Sequence, residues 1–251
     1  MIDIKNLTIT FEERAVLNGI DLNVGEGETL VLAGRNGSGK SVLLKIVAGL
    51  IQGYGGSVKI KNSDIRDRYS SGRAADPDSF KIAYVFQKGG LFDSMSVFDN
   101  TAFGLRRMGL GEDEVSSRVF TVLERVGLKG SENKLPSEIS GGMQKRAGLA
   151  RAICIDPDII LYDDPSAGLD PILSDSISDL IADIKSESRT TAIAVTHDLA
   201  VAEKIADRIV LLYEGKIVFS GAPEIFFKKD NEYTRQFIEG DPQGPIDIFS
   251  Q

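Results

Sequence analysis

Apolar residues change their spacing along this chain often enough to divide it into strands, helices and turns. The opening MIDIKNLTITF alternates apolar and polar positions, the period of a strand with one buried face. Thr29–Ala33, Ile159–Tyr162 and the TTAIAV segment before His197 are continuous apolar runs, short enough to be parallel strands buried on both faces. A helical pattern spans Val42–Ile51. SEISGGMQKRAGLARAI reads as a serine and glycine turn opening a second helix, with apolar residues at Ala147, Leu149 and Ile153. Leu91, Phe92, Met95, Val97, Phe98 and Phe103 are too many apolar residues for a solvated loop, so most of them belong to the core of a small lobe. Residues 62–80 read as a long polar surface loop. Gly240, Pro242, Gly244 and Pro245 prevent helix continuation, so an extended tail is expected over about 238–251, free to lie on another surface.

Composition narrows the class. With 251 residues, 42% of them hydrophobic, the chain suits one large domain with a well-buried core. No stretch approaches the ~18 to 20 continuous apolar residues of a membrane span, and IVAGLI is among the longest, so a membrane role is expected to be peripheral. The N-terminus lacks a basic region followed by an apolar stretch, so no secretion signal is expected. A net charge of -8 opposes a general affinity for nucleic acid. The single Cys154, in AICI, reads as a buried structural thiol.

Three strings carry chemistry: GRNGSGKS (Gly34–Ser41), ISGGM (Ile139–Met143) and IILYDDPSAGLD (Ile159–Asp170). In the first, Gly34, Gly37 and Gly39 permit positive φ and close approach, so that successive N–H groups can cradle phosphate oxygens. The helix beginning near Lys40 adds its positive end. Lys40 suits the β- and γ-phosphates and the Ser41 hydroxyl suits Mg2+. In the third, Asp163 is placed as a carboxylate for Mg2+ and Asp164 to polarise an attacking water; the competing reading is a solvated acidic turn before Pro165. His197, the one histidine, follows a strand, where imidazole can contact a γ-phosphate. Ser140, Gly141 and Gly142 open a helix and form a second phosphate site.

Together these strings resemble the nucleotide-binding subunits of ABC transporters, nearly end to end. GRNGSGKS looks like the Walker A loop, Gln87 in VFQKGG the Q-loop, ISGGM the signature motif, LYDD the Walker B strand, SAGLD through Asp170 the D-loop, and His197 the switch histidine. The resemblance implies that Gly34, Arg35, Asn36, Gly37, Ser38, Gly39, Lys40 and Ser41 hold ATP, and that Asp170 also meets the nucleotide. Ser41, Gln87 and Asp163 then serve Mg2+, and Asp164, His197 and Gln87 serve hydrolysis. Phe11 matches the aromatic that stacks on adenine, and packing into the core is the other reading of a strand phenylalanine. The implied fold is α/β: a mostly parallel RecA-like sheet, a small antiparallel β subdomain and an inserted helical subdomain over about 87–152, in a single nucleotide-binding domain spanning 1–251. Lys40 and Ser140 lie one hundred positions apart, leaving no room for a long coiled-coil insertion. Each ATP is then expected between Lys40 of one copy and Ser140, Gly141 and Gly142 of a second copy.

FQKGGLFDSMSVFDN, SGGMQKR and RQFIEGDPQGPIDIF resemble the ATPases of Mla/Mce-type lipid transporters. That resemblance implies phospholipid transport, a multi-span permease whose cytoplasmic helix sits in a groove beside Gln87, an Mce-type lipid-binding protein, and a place on the cytoplasmic face of the inner membrane, with the tail expected to dock on the second protomer or on a small regulatory subunit. An importer ATPase for a polar solute and a slowly hydrolysing nucleotide-gated interaction module are the alternatives. A DNA-repair or translation factor is disfavoured by the absence of paired cassettes and of a basic arm.

The chain departs from most of its relatives at Asp164, where they carry glutamate. Aspartate is one methylene shorter, about 1.5 Å of reach. A base has to come within about 2.6 to 3.2 Å of the water oxygen, and positioned acid–base groups contribute ~10²- to 10⁴-fold. Steady-state phosphate release is therefore expected to rise or hold in Asp164→Glu and to vanish in Lys40→Ala; inactivation by Asp164→Glu would mean a site built around aspartate.

Overall fold

The alternating N-terminal segment becomes β1 (Ile2–Phe11), which buries Ile2, Ile4, Leu7 and Ile9. It pairs antiparallel with β2 (Arg14–Val24), which buries Leu17, Ile20, Leu22 and Val24. The register shifts between Ile4 and Leu7, where Asn6 takes φ 45°, and this bulge returns Leu7 to the buried face. β3 (Thr29–Gly34) is buried throughout, as its unbroken apolar run requires. α1 (Lys40–Val47) follows the glycine loop and ends four residues earlier than the helical pattern suggests. Gly49 at φ 73° breaks it there, its N–H donating to Ile46 O while that of Leu50 donates to Lys45 O. β4 (Gly55–Ile60) pairs antiparallel with β1, and β5 (Ser63–Asp64) pairs with β4.

This computed structural model describes residues 1–70 and 80–247. The expected polar loop at 62–80 is corrected in its first part: β5 and α2 (Ile65–Ser70) occupy it, because Ile65 is buried and Asp64 accepts from the Arg66 guanidinium at 2.8 Å. Its remainder, 71–79, lies outside the described residues.

The chain divides into two units, Met1–Ser79 with Thr191–Gln251, and Phe80–Thr190. In the second, β6 (Ile82–Val85) leads into a helical region. α3 (Val97–Arg107) starts on Ser96, whose hydroxyl accepts from Asp99 N–H at 3.0 Å. α4 (Glu112–Arg125) buries Val115, Val119 and Leu123, one stripe at four-residue spacing. α5 (Gly141–Ile153) follows a 3₁₀ turn at Pro136–Glu138. These helices share a core that includes Val97, Leu105, Val119, Leu123, Ala147 and Cys154. Each fully buried valine or leucine there contributes about 1.5 to 3 kcal/mol relative to exposure. Burial pushes the Cys154 thiol up to about 11, so it is an inert member of that core. Of the apolar residues after Gln87, Val97 is fully buried and Leu91 and Phe98 pack against the core, while Phe92 is exposed and pairs with Phe103. The buried Asn100 side chain ties this segment down, accepting from Phe92 N–H and donating to the carbonyls of Phe92, Met95 and Ser96. β7 (Ile159–Asp163) runs parallel to β6 and is followed by α6 (Pro171–Glu187).

The chain then returns to the first unit. β8 (Thr191–Val195), α7 (Leu199–Ile205), β9 (Arg208–Tyr213) and β10 (Lys216–Gly221) complete its strands. β3 lies parallel between β8 and β9, and β10 runs antiparallel along β9. The fold is thus α/β, with parallel strands in both units and a separate antiparallel sheet ordered β2-β1-β4-β5. α8 (Pro223–Phe227) and α9 (Glu232–Glu239) close the chain, and Gly240 at φ 65° ends α9.

The tail departs from the expectation of a segment free from about residue 238. Residues 238 and 239 belong to α9, and Ile246 is buried. The Gln236 side chain accepts from Ile246 N–H at 2.7 Å and donates to Ile246 O and Asp241 O. Asp247 N–H donates to the Tyr213 hydroxyl, and the Arg35 guanidinium donates to Asp247 O. The Gln236 amide pairs with both backbone groups of buried Ile246 and with the Asp241 carbonyl, which is why the segment folds back on its own unit. Residues 248–251 lie outside the described residues.

Candidate functional site

The path from β3 into α1 has no room for side chains at two positions. A Cβ on Gly34 (φ 142°) would lie 2.3 Å from Leu212 O, and one on Gly39 (φ 102°) 2.6 Å from the Leu17 side chain. Backbone therefore lines the turn, and α1 begins directly after it, its first N–H groups without helical acceptors. Lys40 is buried, and its ammonium donates to Gly34 O and Arg35 O at 2.7 Å each, which centres the charge beneath the loop. The buried Ser38 hydroxyl has no hydrogen-bond partner among the described residues. An orphaned buried hydroxyl, a lysine under a glycine turn and a helix start together fit a phosphate chain, and Ser41 on the first turn of α1 offers a hydroxyl to its metal.

His197 follows β8 in a tight turn: the Thr196 hydroxyl accepts from Asp198 N–H at 3.1 Å and Asp198 caps α7. Its exposed side chain shares a cleft of about 310 Å³ with Asn36, Gly37, Lys40 and Ser41 within the first unit. Arg14 and Val16 of β2 line the same cleft. Phe11 stands at the end of β1 with 44% of its surface exposed, which removes the core reading and leaves a ring face available at the hairpin end.

In the second unit, β6 and β7 run parallel with Val85 opposite Tyr162, so Gln87, Asp163 and Asp164 emerge from the same end of the pair. Gln87 is exposed. Asp163 is half-buried and accepts a 2.8 Å hydrogen bond from the Tyr84 hydroxyl. Burial, with that carboxylate alongside, holds the Tyr84 phenol protonated, far above its usual value. Asp164 is buried and takes φ 52°, a left-handed conformation uncommon outside glycine, which aspartate and asparagine adopt more readily than other side chains. The turn behind it is closed by Ala167 N–H to Asp164 O and Leu169 N–H to Ser166 O. Asp170 caps α6, accepting from Ile172 and Leu173 N–H at 3.0 Å, a structural duty for a residue expected to meet nucleotide.

Ser140 caps α5, its hydroxyl accepting from Met143 N–H at 3.3 Å. Gly141 is exposed with open space around it, whereas Gly142 is buried, and a Cβ there would meet Leu173 at 3.3 Å. This helix start has the positive dipole end and open surface that suit a phosphate. Tyr84 escaped the sequence reading, although a tyrosine in the apolar strand before Gln87 needs a polar partner for its hydroxyl. So did Lys145 and Arg151, basic residues among the alanines and glycines of α5. Lys145 donates to Pro165 O and Arg151 donates to Gly90 O.

Similarity to known proteins agrees with this chemistry. The family described as ABC transporter matches residues 17–167. The probable ribonucleotide transport ATP-binding protein mkl of Mycobacterium leprae is 40% identical over 251 residues, covering all of this chain and 72% of that protein. The glycine betaine transport ATP-binding protein OpuAA of Bacillus subtilis is 39% identical, covering 89% of this chain and 53% of that one. The intermembrane phospholipid transport system ATP-binding protein MlaF of Haemophilus influenzae is 34% identical, covering 98% and 93%. Among solved structures, a dimeric ATP-binding cassette in a post-hydrolysis state with ADP and Pi bound superposes with a TM-score of 0.78 at 31% identity, over 89% of this chain and 99% of that one. The chain belongs to the ABC transporter family, as an ATP-hydrolysing, Mg2+-using subunit of the kind that dimerises.

Proposed function

We propose that this chain powers the movement of phospholipid, or another lipid, through an envelope complex of Mla/Mce type. The observation that carries the lipid reading is the match to MlaF, which runs through both proteins almost completely. The match to OpuAA leaves out part of this chain and nearly half of that protein. The names of mkl and OpuAA, at higher identity, favour a polar-solute importer as the second reading.

In the favoured reading two copies clamp two ATP molecules. The phosphates lie on the N–H groups of the glycine loop and the start of α1, with Lys40 at the β- and γ-phosphates and Phe11 against adenine. Ser140, Gly141 and Gly142 of the second copy close on the γ-phosphate with the start of α5. When bound, the metal ion would be held by Ser41, Gln87 and Asp163. Mg2+, when bound, withdraws charge from the phosphate oxygens and favours the in-line attack. Asp164 takes the proton of the attacking water, Gln87 orients that water, and His197 holds the γ-phosphate oxygen. Hydrolysis removes the shared anion and lets the copies part. Among the described residues no helix is long and apolar enough to cross a membrane. Attachment to the cytoplasmic face of the inner membrane therefore runs through a multi-span permease, with an Mce-type protein and a small regulatory subunit completing the complex.

Two outcomes check this. Tyr84→Phe removes the donor that orients Asp163, so half-saturating Mg2+ for nucleotide binding should rise about tenfold, as is usual when a partner of a metal ligand is lost. Binding of a fluorescent ATP analogue in EDTA should be unchanged. For the substrate, a tagged chain withdrawn from its own membranes in mild detergent should bring a multi-span permease, an Mce-type protein and phospholipid, identified by mass spectrometry. A solute permease alone would support the second reading.

A further inference from the structure

Lys145 projects from the first turns of α5 toward the loop that carries the acids. Its ammonium donates to Pro165 O at 3.0 Å and Ala167 O at 2.5 Å, the carbonyls that bracket the turn immediately after Asp164. Burial lowers the proton affinity of this lysine and the Asp164 charge opposes that effect, so the two side chains feel each other directly. One turn earlier on the same helix, Gly142 packs against Leu169 and Leu173 at the far end of the loop. α5 thus grips the segment from Pro165 to Leu173 at both ends, while Asp164 itself sits in a left-handed conformation that the surroundings have to impose.

We propose that Lys145 is a positioning residue for Asp164, fixing the backbone turn from which the short carboxylate reaches the attacking water. The proposal rests on the reading of Asp164 as the base. A glutamate has an extra rotatable bond with which to absorb a shift of its Cα, and an aspartate does not. A chain with aspartate at this place therefore depends on its loop being held, and the ammonium that holds the Pro165 and Ala167 carbonyls is the device present. Neutral side chains donate more weakly to a carbonyl and lack the charge that faces Asp164.

The test is a set of Lys145 variants in three backgrounds, read as kcat and KM for ATP together with nucleotide Kd and thermal midpoint. Lys145→Met should lower kcat about tenfold, the scale expected for a misplaced catalytic group, with KM and Kd within about twofold. Lys145→Arg should recover most of the rate. In Asp164→Glu the same Lys145→Met change should cost only about two- to threefold, since the longer arm compensates. In Asp164→Asn, read by single-turnover phosphate release over hours, it should cost nothing further. An unchanged kcat, an equal loss in all three backgrounds, or a KM that rises with the fall in kcat would overturn the proposal. Should Lys145→Met lower the midpoint too far to assay, Lys145→Gln replaces it under the same criteria. Full turnover by Asp164→Asn alone would instead sink the reading of Asp164 as base, a result separable from the others.

Discussion

A helix start is the positive end of its dipole and favours an anion or a capping side chain, and two of the described starts in this chain lie at glycine-bearing turns. One is α1, entered through a turn in which Gly34 and Gly39 have no space for a Cβ. The other is α5, whose cap Ser140 reaches one N–H, while exposed Gly141 leaves its neighbourhood open. The remainder of the fold holds these two ends rigid. Buried β3 between β8 and β9 fixes the first. A core of valines, leucines and alanines shared by α3, α4 and α5 fixes the second. In the proposed function a second copy supplies the partner for each start, and the anion they share is the adhesive.

α5 does more than present a phosphate-binding end. Arg151 donates to Gly90 O at 2.7 Å, and a Cβ on Gly148 would lie 2.6 Å from Gly89 O, so the segment after Gln87 is pressed onto the helix. Lys145 holds the loop after Asp164 on another side. One helix therefore contacts the signature end, the Gln87 segment and the acid loop within the same unit. In the proposed function, what meets Ser140 and Gly141 lies one packed helix away from the residues assigned to water and metal.

The phosphate loop, the acid pair and the strand preceding each were legible because their signals are local: glycine spacing, an unbroken apolar run, and acids at its end. What escaped depends on contacts between distant positions. The Tyr84–Asp163 bond exists only because β6 and β7 pair in one register, and no spacing along the chain reveals a register. Lys145 reads as one more basic residue until the loop twenty positions later folds beneath it. Phe11 was ambiguous for a related reason: the bulge at Asn6 puts it in phase with the buried Leu7 and Ile9, but it lies past the edge of what they cover. The tail was misjudged because glycines and prolines forbid helix without forbidding burial, and the buried Gln236 amide supplied the partners that such a segment needs.

The central claim is that one nucleotide is held by the loop at Lys40 of one copy and the helix start at Ser140 of another. Sedimentation of the Asp164→Asn chain with ATP and Mg2+, alone and combined with Gly141→Glu, tests it most directly when paired with fluorescent ATP binding. The account predicts an ATP-dependent dimer for Asp164→Asn, and a monomer that still binds ATP once Gly141→Glu is added. A dimer that persists with Gly141→Glu, or a monomer that has lost ATP, would contradict it.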